Sequence, residues 1–215
     1  MSYTFVEHSF FIFLDAQVYL VTELMHTSLF KRMFQCDSGD LTLAEKARVA
    51  LEILRRVSYL HSKRVVHNDI KLENVLVDET LTAVKLCDFG LSRVKNSDGQ
   101  TKIHGQVAGT DMYKAPEMFR SKFNTVGNFA TDVWAVAGVI TELFTKAVLW
   151  SSKKRTANAE MMAEMKKQNL PTAYKELKRN HRNVYDVLRS AFSYDCAERP
   201  AAAVLLRNFE EIVFE

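Results

Sequence analysis

Apolar residues near the start of the chain fall into two strand-like runs. Positions 10–13 and 18–21 are rich in aromatic and β-branched side chains, and the interruption Asp15-Ala16-Gln17 lies between them. Runs of this composition on either side of a short break are typical of a β-hairpin. Two shorter runs, at 75–77 and 83–86, have the same character and predict further strands.

Helical spacing dominates the rest of the chain. Thr42 and Glu45 are spaced as a capping box, and the apolar residues between 49 and 60 recur every three or four positions, which predicts a core helix. From Ala130 on, apolar residues lie on almost every face, as in a helix that is buried all round. Further helices are predicted at 157–168, 183–192 and 201–213. A little β structure followed by mostly helix predicts an α+β fold that is mainly α-helical.

The composition is that of a folded globular protein. The 215 residues are 47% hydrophobic and 26% charged, with only 7 Gly and 3 Pro. These values exclude disordered, collagen-like and low-complexity chains. The net charge of +3 is too small to indicate a nucleic-acid partner. The apolar run at 10–14 is too short for a signal peptide or a membrane span, so no membrane partner is expected.

The cysteines and glycines bear on the cellular location of the protein and on the kind of nucleotide site it can form. The three cysteines are far apart and form no C-x-x-C pair, which indicates neither a disulfide framework nor a zinc site. We therefore expect reduced thiols in an intracellular protein, cytoplasmic or nuclear. No two of the seven glycines are spaced as in G-x-G-x-x-G or a P-loop. Any nucleotide is therefore expected to be held without a glycine-rich loop from these residues.

The densest group of chemically informative residues lies at 66–76. Asp69, Lys71 and Asn74 would converge if this segment were a tight loop ahead of a strand. Such a loop offers a carboxylate to orient a hydroxyl, a cation to meet phosphate charge and an amide oxygen for a metal ion. An ordinary polar turn explains this segment equally well when it is taken alone. Asp88 then follows a short strand and precedes Phe89 and Gly90, which suits a Mg²⁺ ligand.

Together these motifs resemble the signature set of protein kinases. H-x-D-x-K-x-x-N at 67–74, D-F-G at 88–90 and A-P-E at 115–117 occur in the family's order and spacing. The chain is similar to eukaryotic-type Ser/Thr protein kinases over about residues 4–210. The resemblance implies a kinase C-lobe at 25–215, with the catalytic loop at 65–77 and the activation segment at 88–117. Residues 1–24 would be a residual N-lobe β-hairpin and hinge.

The resemblance also implies roles for individual residues, with ATP and Mg²⁺ as the reactants. Asp69 would accept or orient the proton of the substrate hydroxyl, and Lys71 would stabilise the transferring γ-phosphoryl group. Asn74 and Asp88 would hold two Mg²⁺ ions. Thr110, ahead of A-P-E, together with Lys71 indicates the serine/threonine form rather than the tyrosine form.

The remaining implied roles concern the nucleotide pocket and the packing around the site. Thr22 would be the gatekeeper, Glu23 and Met25 would belong to the hinge, and Leu76 would lie under the adenine. The other implied roles are structural: His67 and Phe89 pack, Asp132 braces the catalytic loop, and Arg199 pairs with Glu117.

The chain departs from the family pattern in the catalytic loop. Asn68 stands where most kinases carry the Arg that binds a phosphate on the activation loop, and Asn cannot supply that charge. Phosphorylation of Ser97 or Thr101 is therefore expected to matter less, and both are read as solvated loop hydroxyls. The amino-acid sequence of residues 67–74 also resembles the corresponding segment in kinases of large DNA viruses of the baculovirus type.

The second departure is the expected absence of the first part of a kinase. The glycine-rich loop, the strand-three Lys and its helix Glu have no counterpart in these residues. Two functions stay open. The first is a Ser/Thr kinase, weak or inactive alone, that phosphorylates a protein substrate. The second is a catalytically dead module that modulates a partner kinase by mimicry. A second chain that covers the apolar face of the hairpin is an implied partner.

Overall fold

A β-hairpin opens the part of the chain that the structure describes. The structure is a computed structural model, and it describes residues 10–14, 17–36, 39–95, 109–119, 127–150 and 157–214. Strands β1 (Phe10–Leu14) and β2 (Gln17–Val21) are antiparallel, with Phe10 opposite Val21 and Leu14 opposite Gln17. This pairing confirms the predicted hairpin, although residues 1–9 and 15–16 lie outside the described residues.

Short strands flank residues 67–74 and residues 88–90. Strand β3 (Thr27–Ser28) pairs with β5 (Val75–Val77), and β5 pairs with β6 (Val84–Leu86), all antiparallel. Strand β4 (Val65–Val66) pairs separately with β7 (Arg93–Val94). The predicted strands at 75–77 and 83–86 are thereby confirmed. These pairings join the segments on either side of residues 67–74 to the segments on either side of residues 88–90.

Helices form most of the described structure, as the α+β prediction requires. They are α1 (Leu29–Phe34), α2 (Leu43–Ser62), α3 (Phe129–Thr145), α4 (Ala157–Lys166), α5 (Thr172–Asn180), α6 (Arg182–Leu188) and α7 (Ala202–Glu210). None of the helices in the described ranges is both long and apolar enough to cross a membrane.

Helix α2 begins at the predicted capping box. Thr42 Oγ1 accepts the amide of Glu45 at 3.2 Å, and Glu45 Oε2 accepts the amide of Thr42 at 2.7 Å. Two of the amides that a helix N-terminus leaves without partners are thus satisfied. The apolar face behind the box, which includes Ile53, Leu54 and Val57, is fully buried.

Helix α3 is the centre of the core. Every residue from 131 to 144 is buried, as the apolar pattern on all faces predicted. Helices α2 and α5 pack against α3, and α7 packs against α2. Trp134 of α3 meets Phe192 edge-on, with ring centroids 5.1 Å apart. Close packing around α3 makes it the rigid element against which the loops of the site are held.

Each of the three helical stretches predicted beyond α3 contains a helix, but the boundaries differ and one further helix was missed. The predicted helix at 183–192 ends at Leu188 and continues as a 3₁₀ turn at Ser190–Phe192. The helices predicted at 157–168 and 201–213 end at Lys166 and Glu210. Helix α5 was not predicted, because it begins after Pro171 without a side-chain cap and is mostly polar.

Candidate active site

The loop that carries Asp69 is hydrogen-bonded to the first turn of α3. Asp132 accepts the backbone amides of His67 at 2.8 Å and of Asn68 at 2.9 Å, one with each carboxylate oxygen. His61 Nε2 lies 3.0 Å from Asp132 Oδ2. Asp132 is almost completely buried, so these contacts replace the hydration that its charge loses. The expected bracing role of Asp132 is seen directly in these bonds.

His67 links this loop to the strand that precedes Asp88. Its buried ring donates from Nε2 to the carbonyl of Cys87 at 3.1 Å, while Nδ1 accepts the amide of Asp69 at 3.3 Å. These partners define one neutral tautomer, and burial lowers the pKa of His67, which favours that neutral form. The ring also packs on Phe89, with centroids 4.9 Å apart, as the packing role implies.

The carboxylate of Asp69 is held by three side chains that the sequence singled out. Asp69 Oδ2 lies 2.9 Å from Lys71 Nζ, and Oδ1 accepts both the amide of Thr110 at 2.9 Å and its hydroxyl at 3.1 Å. Lys71 Nζ also donates to Thr110 Oγ1 at 2.9 Å. Asn74 Nδ2 donates to Asp69 Oδ2 at 3.1 Å and to the Asp69 carbonyl at 2.9 Å. The structure thus brings Asp69, Lys71, Asn74 and Thr110 together.

This network fixes the charge state of Asp69. Burial opposes ionisation, but the hydrogen bonds and charge of Lys71 and the two bonds from Thr110 outweigh it, so the pKa of Asp69 lies below its usual range. Asp69 is therefore ionised at neutral pH. A carboxylate that is already oriented and ionised can accept a hydrogen bond from an incoming hydroxyl.

Thr110 reaches Asp69 because the residue before it is glycine. Gly109 has a φ of +106°, and a Cβ at that position would lie 2.8 Å from the carbonyl oxygen of Asn68. Backbone atoms cannot move aside as a flexible side chain could, so a larger residue would push the two loops apart. Gly109 is therefore required for the contact between Thr110 and the loop that carries Asp69.

Asn74 and Asp88 lie at the ends of two paired strands: Asn74 directly precedes β5, and Asp88 is two residues beyond the end of β6. The carbonyl of Asn74 accepts the amide of Cys87 at 3.0 Å, which places Asp88 one residue beyond the partner of Asn74. Asp88 is exposed, adopts a left-handed conformation with φ of 61°, and accepts the amide of Gly90 at 3.3 Å. Because the Asn74 amide nitrogen donates to Asp69, its amide oxygen remains as an acceptor. A carboxylate and an amide oxygen are ligands that suit Mg²⁺.

Of the residues predicted for the nucleotide pocket, Leu76 lies in β5, the central strand of the β3-β5-β6 sheet, whereas Thr22, Glu23 and Met25 lie in the segment between β2 and β3. Leu76 of β5 is opposite Lys85 of β6, so their side chains share one face. Lys85 forms an ion pair with Glu23, which joins the predicted hinge to that face. Thr22 is exposed and Met25 is half-buried. Lys85 was not predicted as part of this group, because only the pairing of β5 with β6 shows that it faces Glu23.

The end of the activation segment is tied to the C-terminal helices. Glu117 and Arg199 form the implied pair, with two hydrogen bonds of 2.7 Å. Arg199 also donates to the carbonyls of Ser193 and Ala130 and lies over the ring of Trp134. Its side chain is completely buried. The pair is therefore structural, and it positions the residues that follow Thr110.

A second buried polar group was not predicted. Tyr113 donates its hydroxyl to Glu142 Oε2, and the amide of Leu149 donates to Glu142 Oε1 at 2.7 Å. Burial is the main cause that raises the pKa of Glu142 and that of Tyr113 above their usual ranges. Glu142 lies in the all-buried helix α3, where the sequence pattern indicated packing only, so nothing in that pattern marked it.

The fold and this site together define the class of the protein. Residues 3–209 match the family described as Protein kinase domain. The chain belongs to the protein kinase family, which confirms the resemblance seen in its motifs. The particular resemblance to viral kinases stays a prediction. Ser97 and Thr101 lie outside the described residues.

Three curated relatives show the extent of the similarity. Mitogen-activated protein kinase kinase kinase 5 of Arabidopsis thaliana is 30% identical over 207 residues, which are 94% of this chain and 26% of the relative. Serine/threonine-protein kinase NLK2 of Xenopus laevis is 31% identical over 150 residues, 69% of this chain and 32% of the relative. Mitogen-activated protein kinase 8 of Oryza sativa subsp. japonica is 32% identical over 149 residues, 69% and 26% respectively. The chain thus spans about a quarter to a third of the length of these relatives.

Proposed function

We propose that this chain transfers the γ-phosphoryl group of ATP to serine or threonine hydroxyls of a protein. The observation that carries the proposal is the network in which Lys71, Thr110 and Asn74 hold an ionised Asp69. In this proposal residues 1–24 are an N-lobe hairpin and hinge, and residues 25–215 are the C-lobe. The serine/threonine class of a relative such as NLK2 supports the same acceptor.

The roles follow from the positions of the side chains. Asp69 accepts the proton of the substrate hydroxyl while the oxygen of that hydroxyl forms the new bond to the γ-phosphorus. The bond from that phosphorus to the β–γ bridging oxygen breaks, and ADP leaves. Lys71, held by Asp69 and Thr110, would stabilise the transferring group with its charge. Thr22, Glu23, Met25 and Leu76 would contact the nucleotide base.

The donor set at Asn74 and Asp88 fits Mg²⁺. Among the described residues no group of three or more His, Cys, Asp or Glu could hold a metal, so these two ligands would depend on phosphate oxygens to complete the coordination. Bound Mg²⁺ would neutralise the charge of the β- and γ-phosphates. The exposure of Asp88 keeps its carboxylate accessible to such an ion.

The test is ³²P transfer from Mg·ATP to serine, threonine and tyrosine peptides under single-turnover conditions. We expect transfer to the first two peptides, and a loss of about 10²-fold or more in Asp88→Ala. Equal signal in both proteins would overturn the assignment of Asp88. Transfer to the tyrosine peptide alone would overturn the serine/threonine class.

A non-catalytic alternative is favoured by one observation. Apolar side chains at the edge of the hairpin and hinge are exposed, including Val18 at 60% and Leu24 at 99%. Such a surface fits a second chain that covers the hairpin, and the function would then be to modulate a partner kinase. This candidate predicts that Val18→Asp and Leu24→Asp abolish kinase binding while Asp88→Ala does not. We also propose an intracellular location, on the cysteine usage alone.

A further inference from the structure

Asn68 occupies an unusual position between two loops of the site. Its backbone has a left-handed φ of 67°, and its amide is held by Asp132. Its side-chain Nδ2 donates to the carbonyl of Leu91 at 2.9 Å, across 23 positions of sequence. Asn is one of the few residues with a side chain that tolerates this conformation well. The backbone therefore presents the amide group to the segment that follows Asp88.

The other end of the same amide group lies against the start of α3. Asn68 Oδ1 is buried, and among the described residues it has no hydrogen-bond donor. A Cβ added to Gly127 would lie 1.9 Å from Oδ1 and 3.1 Å from the Asn68 Cγ. The side chain is thus wedged between Leu91 and Gly127, and it fits only because residue 127 has no side chain.

We propose that Asn68 is a positioning residue that holds the segment after Asp88 against the catalytic loop. Leu91 is three residues beyond Asp88, so a bond to its carbonyl restrains the turn that carries the Asp88 carboxylate. Ser92 Oγ, which donates to the carbonyl of His67 at 3.2 Å, supports the same contact. Asn68 acts through Asp88 and touches no reactant. The proposal rests on the proposed function for its catalytic consequence but not for its structural one.

Two substitutions separate the amide group from the backbone conformation. Asn68→Gly keeps the left-handed backbone and removes the amide, whereas Asn68→Asp keeps the shape and replaces the donor with an oxygen. We expect amide hydrogen exchange at residues 91–95 to become about five- to tenfold faster in both, as the loss of one neutral hydrogen bond predicts. Exchange in α2 and α7 should stay unchanged. Wild-type protection of residues 91–95 in both variants would overturn the proposal.

Gly127→Ala provides an independent test, because its methyl group would displace the Asn68 amide. It should reproduce the faster exchange at residues 91–95. The methyl group would also meet Thr131 Oγ1 at 2.9 Å, so only its effect through Asn68 should vanish. In the double variant Asn68→Gly/Gly127→Ala, the two effects on exchange at residues 91–95 should therefore be less than additive. Gly39→Ala is the control for a change remote from Asn68, because a Cβ at residue 39 meets no atom within 4 Å and only the positive φ of 72° adds strain there. Unchanged exchange in Gly127→Ala, or fully additive effects, would contradict the proposal.

The catalytic consequence is measured separately. Asn68→Gly should need several-fold more Mg²⁺ for half-maximal phosphoryl transfer, with an unchanged KM for the peptide, because only the metal ligand is displaced. A changed peptide KM with an unchanged Mg²⁺ requirement would overturn the link to Asp88. If the wild-type chain transfers no phosphate, the proposed function fails, while the exchange data still decide the role of Asn68.

Discussion

Arg199 and Glu117, 82 positions apart in the sequence, are joined by two hydrogen bonds of 2.7 Å in the bidentate arrangement of guanidinium and carboxylate. The Arg199 side chain is completely buried and Glu117 is mostly so. The pair connects the 3₁₀ turn at Pro116–Phe119 to the segment that precedes α7. Charges buried in this way stabilise a fold only as long as both partners are present.

Arg199→Ala should therefore destabilise the chain strongly. Removal of the guanidinium leaves Glu117 without its partner, which costs about 3 kcal/mol in the free energy of unfolding. Arg199→Lys should cost less, because Lys keeps the charge but cannot bond both oxygens. Urea denaturation measures both. The exposed pair Arg182–Asp186 is the control, and Arg182→Ala should leave the urea midpoint nearly unchanged. Equal effects at 199 and 182 would contradict the structural role.

Gly109→Ala should separate the activation segment from the catalytic loop. The new methyl group would meet the carbonyl of Asn68 at 2.8 Å, so we expect a loss of about 2 kcal/mol or more in stability and loss of the Thr110–Asp69 contact. Gly39→Ala is the matched control. It also has a positive φ, of 72°, but meets no neighbour within 4 Å, and should cost only about 1 kcal/mol. A comparison of urea midpoints distinguishes contact from backbone strain, and equal losses would show that the contact is unimportant.

Lys71→Met should raise the pKa of Asp69. Lys71 contributes both a hydrogen bond and a charge that favour the ionised form, and only the uncharged donors Thr110 and Asn74 would remain to oppose burial. Carboxyl ¹³C NMR of Asp69 against pH measures the shift directly, with Lys167→Met, at the exposed residue directly after α4, as the control. An unchanged midpoint in Lys71→Met would show that Lys71 does not set the charge of Asp69.

The pKa of Asp69 also predicts how the free energy of unfolding depends on pH. The pKa in the folded chain lies below the unfolded value of about 3.9, so ionised Asp69 stabilises the folded chain above pH 3.9. This contribution is lost as the pH falls through the folded-state pKa. Lys71→Met should therefore lose a smaller part of its stability on acidification, as measured by urea denaturation between neutral pH and pH 3.

Glu142 should affect the pH dependence of stability in the direction opposite to Asp69, and Glu142→Gln should remove that effect. The pKa of Glu142 is raised in the folded chain, chiefly by burial, so the folded state binds more protons than the unfolded state does. Stability from this group is present below its unfolded pKa and falls as the pH rises through the folded-state value. Gln cannot ionise, so the variant should gain on the wild type as pH increases from 4 to 8. Parallel curves would contradict the raised pKa.

Much of the fold could be predicted because local patterns and packing agree. The capping box at Thr42 and the apolar spacing behind it define α2, and apolar residues on every face define the buried helix α3. Helix α5 could not be predicted in the same way, because it has no cap and buries only three residues, Ala173, Tyr174 and Leu177. Its stability comes from contact with α3, which the sequence does not display.

The candidate site also contains residues that local sequence predicts and residues that only tertiary contacts reveal. Asp69, Lys71 and Asn74 lie within one short loop, so their convergence could be predicted from spacing. The roles of Lys85, Glu142 and Gly127 depend on partners that are distant in sequence, across a strand pair or at a helix end. Long-range pairing of this kind leaves no local periodicity, so only the folded structure reveals it.

Phosphoryl transfer by Asp69→Asn tests the central claim most directly. Asn keeps the shape of the side chain but cannot accept the proton of the substrate hydroxyl. Asp78→Asn is the matched control. Asp78 accepts the amide of Ala83 in the turn between β5 and β6, and β5 separates it from Asn74 and the site. We predict that Asp69→Asn lowers the single-turnover rate of ³²P transfer to a Ser/Thr peptide by about 10²-fold or more, while Asp78→Asn keeps the wild-type rate. Equal rates in all three proteins, or no transfer by the wild type above the Asp69→Asn background, would contradict the account.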